Sequence, residues 1–106
     1  MTTIDTAERL LARGKRSGDL AVQASSALLA QLDTPLLDSY VDEDGFVEWE
    51  GLGIEDLSGG ERVIYDLARN LAERGTWGVR LDGLWTLDLG YRRRVLDILA
   101  RYLGVD

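Results

Sequence analysis

The chain has neither histidine nor cysteine among its 106 residues, and this limits what its side chains can do. No disulfide, zinc site or thiolate nucleophile can be built. No Ser-His or Cys-His pair exists, and no imidazole can move protons near neutral pH. Chemistry is left to carboxylates, to a hard oxygen-liganded metal, or to arginine and backbone holding phosphate. Carboxylates and arginines are abundant but segregated. Residues 1–16 carry four bases and two acids, residues 17–61 eleven acids and no base, and residues 62–106 eight bases and six acids. The net charge is -7. All the bases but Lys15 are arginine, which suits planar, bidentate pairing with carboxylate or phosphate. The acidic middle therefore either pairs with arginines of the same chain or faces a basic partner.

Two charged strings invite a specific test. In Asp42-Glu43-Asp44-Gly45, placing Gly45 at the sixth position of an EF-hand loop puts Asp42 and Asp44 at ligand positions. The first position is then Tyr40, and the twelfth, which must supply a bidentate glutamate, is Gly51. The string reads instead as an Asp-Gly turn before a short strand, Phe46 to Trp49. Gly14-Lys15-Arg16-Ser17 has the end of a phosphate-binding loop, but Arg9 occupies the position that needs glycine. Neither string supplies a metal or cofactor site, and none is expected.

The elements that position these groups follow from caps and periodicity. Asp5-Thr6-Ala7-Glu8 starts a helix that runs through Arg13 and stops at Gly14. A second helix spans Asp19 to Leu32, its stripe formed by Leu20, Ala24, Ala27, Leu28 and Gln31 or Leu32. Ser25 and Ser26 fall off that stripe. Thr34-Pro35 reads as N-cap and first residue of a short helix to Val41.

Ser58-Gly59-Gly60-Glu61 has the form of a capping box, and Val63, Ile64, Leu67, Ala68 and Leu71 give the helix behind it an apolar face until Gly75. Trp77 to Leu81 reads as extended. Asp88 is the N-cap of a last helix, Leu89 to Leu103, ended by Gly104. Its stripe is Leu89, Leu96, Leu99 and Leu103, edged by Val95 and Tyr102. Arg92-Arg93-Arg94 spreads over a full turn, so the three cannot face one phosphate backbone together.

Leu57-Ser58-Gly59-Gly60-Glu61-Arg62 resembles the signature of ABC-type ATPases, with Val79-Arg80-Leu81-Asp82 near the end of a Walker B strand and Thr86-Leu87-Asp88 like a D-loop. That resemblance implies a helix N-terminus meeting a nucleotide phosphate. The chain departs from it: Gly83 stands where the family has its catalytic glutamate, and no phosphate-binding loop precedes the string. From Gly45 to Gly104 the chain also resembles small uncharacterised proteins of actinobacteria and their phages, a likeness that implies no activity.

These features predict a mainly α fold: one domain over residues 1–106, a compact bundle of four or five short helices with one or two short β-strands. No signal peptide and no membrane span are expected, which places the protein in the cytoplasm. The expected function is that of a non-enzymatic binding or regulatory protein of phage or actinobacterial type, acting on a protein partner or on a second copy as a homodimer. Expected contact residues are Asp42, Glu43, Asp44, Glu48, Trp49, Arg92, Arg93 and Arg94, with Trp77 and Trp85 as further aromatic candidates. The alternatives are a helix–turn–helix nucleic-acid binder that reads with Tyr91 to Arg94, and a degenerate ATPase-like fragment.

Overall fold

Residues 4–32, 34–52 and 54–105 are described by a computed structural model. Four α-helices carry the architecture: α1 (Ile4–Ser17), α2 (Leu20–Ala30), α3 (Gly59–Ala72) and α4 (Leu89–Leu103). Single turns of 3-10 helix occur at Pro35–Ser39, Trp49–Gly51 and Ile54–Asp56, with a longer one at Leu81–Thr86.

The organising element is α2, which packs against α1, α3 and α4. Its sequence, Leu20-Ala21-Val22-Gln23-Ala24-Ser25-Ser26-Ala27-Leu28-Leu29-Ala30, contains no charge, so no face of it requires water. Ala21, Ala24, Ser25, Ser26, Leu28 and Leu29 are all buried, whereas Leu20 is exposed. Ser25 and Ser26, expected to point away from the core, therefore lie inside it. The Ser25 hydroxyl donates to the Ala68 carbonyl of α3 at 2.8 Å, which satisfies it in an apolar setting. Around α2 the core continues through Leu10, Leu32, Leu37, Val41, Leu52, Val63, Ile64, Tyr65, Leu67, Ala68, Leu87 and Val95.

Caps fix the helix starts. Asp19 accepts from the amides of Ala21 and Val22, Thr34 from Leu36, and Asp88 from Tyr91. Ser58 and Glu61 form the complete capping box: the Glu61 amide donates to the Ser58 hydroxyl at 3.2 Å, and the Ser58 amide to the Glu61 carboxylate at 2.9 Å. Each cap satisfies amides that the first helical turn leaves without carbonyl partners. At the far end, Gly104 adopts a left-handed conformation at φ 74° and closes α4.

Three expectations need correction. Gly14 does not stop α1. It lies buried inside the helix, and a Cβ there would stand 3.2 Å from the Gln23 backbone, so glycine lets α1 and α2 approach closely. The short helix after Thr34 is a 3-10 turn ending at Ser39.

The expected strands are also absent among the described residues. Val41 and Val47 form one isolated antiparallel bridge, and Trp49 already begins a 3-10 turn. Residues 77–80 are not paired as a strand either, and Leu81 opens the next 3-10 turn. A ladder needs two extended segments in register, and these turns leave no room for one. The 42–45 turn is held from inside: the Asp42 carboxylate accepts from the amides of Asp44 and Phe46 at 2.9 and 3.0 Å. Among the described residues no helix is long and apolar enough to cross a membrane.

Candidate functional site

The expected contact residues separate into two places. Asp42, Glu43, Asp44 and Glu48 are exposed around the turn beside α1, where Arg16 donates to the Asp44 carbonyl and Arg13 stacks 3.6 Å from the centre of the Phe46 ring. Arg92, Arg93 and Arg94 lie in the first turns of α4, and no ion pair links them to the 42–48 carboxylates among the described residues. The acidic segment does pair internally, but with α3 and the turn after it. Glu50 meets Arg69 at 3.0 Å, and Asp19 meets Arg74. That hydrogen bond from Arg74 holds the Asp19 carboxyl below the usual carboxylate range, and the bond in turn raises the Arg74 guanidinium.

The aromatics divide just as sharply. Trp49 and Trp77 are half-buried, each edge-on to the buried Tyr65 ring with centroids 5.6 and 6.2 Å away. Arg69 lies over Trp77 at 3.8 Å and donates to the Tyr65 hydroxyl, Glu73 and Glu50. Burial alone would lower the Arg69 guanidinium; the hydrogen bonds to Tyr65 and Glu73 outweigh it and raise it. Asp66 accepts from Arg62 and from the Trp77 indole. These groups are committed to the fold. Trp85 is 78% exposed.

Trp85 belongs to the candidate site. The 3-10 turn Leu81–Thr86 runs beside α4 and leaves an apolar groove of about 350 Å³ lined by Leu81, Leu84, Trp85, Val95, Leu96 and Leu99, with Arg92 in its wall. The turn is fixed from below, because Gly83 sits so close to α3 that a Cβ there would be 2.5 Å from Val63. Gly60 is a similar case: a Cβ would meet Leu87 at 3.0 Å. Ser58 and Gly60 of the Leu57–Arg62 string are thus accounted for by a cap and a close approach, whereas a Cβ at Gly59 would meet nothing.

Among the described residues, six of the ten exposed large apolar side chains lie between Leu81 and Val105, which makes this end a patch rather than scatter. On α4 the expected stripe exists, but its edge is what the core receives. Val95 is buried, whereas Leu89, Leu96 and Leu103 are 77, 65 and 67% exposed. Their seven-residue spacing is the signal that could have revealed this, since side chains that far apart follow the seam of a helix-on-helix contact. Sequence reasoning named Arg92 but not Leu81, Leu84 or Leu96 as contact residues.

Arg92 is the polar element of the groove. Its guanidinium lies 4.7 Å from the centre of the Trp85 ring and donates to the Trp85 carbonyl at 2.8 Å. Its Nε is shielded from solvent and has no acceptor, and no carboxylate pairs with it among the described residues. On either side of Leu81, Arg80 and Asp82 pair at 3.1 Å, and Arg93 and Arg94 are exposed on the first turns of the helix, Arg94 over the Tyr91 ring. Family models, curated proteins and solved structures give no match to this chain, so the functional reading rests on its own residues.

Proposed function

We propose that this protein is a non-enzymatic binding protein that acts through protein–protein contacts made by the groove between the Leu81–Thr86 turn and α4. One observation carries the reading: large apolar side chains are held in water at and beside one groove, with Leu81, Trp85 and Leu96 lining it and Leu89 and Leu103 exposed on α4 seven residues to either side of Leu96. Their exposed surface is on the order of 700 Å², close to what one partner contributes to an ordinary protein interface. An exposed tryptophan beside an arginine is also the composition of an interface anchor.

Less supports the nucleic-acid reading. Residues 73–88 separate α3 from α4, far more than the tight turn of a helix–turn–helix. The leucines also occupy much of the helix face that would have to meet base edges. Regulatory action, a phage or actinobacterial origin and a cytoplasmic location remain part of the proposal on sequence grounds.

The test is capture from a lysate by immobilised wild type, Leu96→Arg and Phe46→Ser, with folding checked by circular dichroism. Capture that is lost only with Leu96→Arg supports the groove. Capture that survives Leu96→Arg overturns it.

A further inference from the structure

Resting on that reading, we infer that the groove receives an amphipathic helix of a partner protein, with leucine-type anchors along one face and carboxylates beside them. Three features point to a helix. Leu89, Leu96 and Leu103 recur every seven residues along α4, the spacing that a facing helix fills knob into hole. No strand exists among the described residues, so a partner segment finds no sheet edge to extend. The groove holds a single aromatic, Trp85, whereas proline-rich segments dock on aromatic-lined grooves.

Charge identifies the helix further. Arg92 presents a guanidinium in the wall of an apolar groove, where only the Trp85 carbonyl accepts from it and no carboxylate pairs with it among the described residues. The Nε faces inward, but the outer end of the guanidinium is open to the groove, and a carboxylate brought by the occupant can meet it there with a charge-assisted bond. Arg93, exposed about 60° around the helix from Leu96, favours a further acid along the occupant's edge, whereas Arg94 stacks over Tyr91 on the far side.

A second copy of this chain fits less well. The acid nearest the middle of α4 is Asp97, which lies about 140° around the helix from Arg92. An antiparallel copy seated on the leucine row would therefore bring no carboxylate to the Arg92 side. An anionic membrane offers negative charge to the same arginines, but its surface has no side-chain knobs to fill the spaces between Leu89, Leu96 and Leu103.

The experiment uses two synthetic peptides of about 18 residues with the same leucine face, one flanked by glutamate and one by lysine. Binding to wild type, Arg92→Gln and Leu96→Arg is measured by calorimetry at low and high salt, with light scattering of the protein alone. The inference predicts that the glutamate peptide binds at least about tenfold more tightly than the lysine peptide at low salt. Arg92→Gln should erase most of that preference, and Leu96→Arg should abolish binding of both.

Equal binding of the two peptides, lost with Leu96→Arg, overturns the acidic helix and leaves the groove standing. If neither peptide binds and the protein is a dimer that Leu96→Arg makes monomeric, the occupant is a second copy and the inference fails. A monomer that binds neither peptide overturns both readings. Binding of anionic vesicles in place of the peptides overturns both as well. Leu96 and Arg92 are not core residues, so these variants should fold.

Discussion

α3 and α4 begin alike and end differently. Each follows a 3-10 turn, a leucine and a side-chain N-cap: Leu57-Ser58 before one, Leu87-Asp88 before the other. Each then carries the same apolar order. Val63, Ile64, Leu67, Ala68, Arg69 and Leu71 match Val95, Leu96, Leu99, Ala100, Arg101 and Leu103, 32 residues later. In both regions an arginine also stacks on a tryptophan, Arg69 on Trp77 and Arg92 on Trp85.

On α3 the pattern is filled: Ile64 is 1% exposed, and Arg69 has Tyr65, Glu73 and Glu50 around it. On α4 the equivalent Leu96 is 65% exposed and Arg92 pairs with no acid among the described residues. A sequence pattern specifies which side chains share a face. Whether that face is covered depends on what else arrives, and α2 is already surrounded by α1, α3 and α4.

The contrast is sharpest in the cores of the two faces. Ile64→Ala should cost ~2–5 kcal/mol in chemical denaturation, because it empties a filled site. Leu96→Ala should change stability by no more than about 0.5 kcal/mol, as exposed substitutions do. Equal losses would break the comparison.

The two arginines come next. Arg69→Met should cost about 1–3 kcal/mol, since it strands the Tyr65 hydroxyl and removes the stack on Trp77. Arg92→Met should stay within about 0.5 kcal/mol of wild type. The caps test what the helices share: Ser58→Ala and Asp88→Ala should each cost ~1 kcal/mol in the same denaturation series.

The smallest effect concerns the salt link between the start of α2 and the turn after α3, which α4 lacks. Asp19 is more acidic folded than unfolded, so its contribution is complete above the unfolded carboxylate value of about 3.9 and fades as pH falls through the lower folded one. Thermal melts of Asp19→Asn should show a shallower loss of stability on acidification than wild type.

What was legible in the sequence was local. Thr34, Ser58 and Asp88 announce their caps because an N-cap needs only a short oxygen side chain before a helical pattern, whereas Asp19, expected as the first residue of a helix to Leu32, is the cap of one that ends at Ala30. Gly104 and the α3 face were equally plain. Gly14 was misread because glycine serves both to end helices and to let them touch, and only the approach of Gln23 distinguishes the two. The strand after Gly45 was overread because a strand exists only where a neighbour pairs with it, and Val41 supplies a single bridge.

The site was half legible. Arg92 could be named from its charge, and Trp85 stood among the tryptophans. Nothing local separates Trp85 from Trp49 and Trp77, because tryptophan has the same affinity for core and interface, and distant Tyr65 claims the other two. The seven-residue recurrence of Leu89, Leu96 and Leu103 carried the missing information, since it sets these leucines off from the residues that turn toward α2.

The seating of Gly83 against Val63 has a kinetic consequence. One wall of the groove is keyed into a buried residue of α3, and the other is a helix capped at both ends. Neither wall has to be assembled when a ligand arrives. Association should then be a single diffusional step whose rate rises in proportion to ligand concentration without levelling off, and differences in affinity among ligands should appear in how slowly they leave.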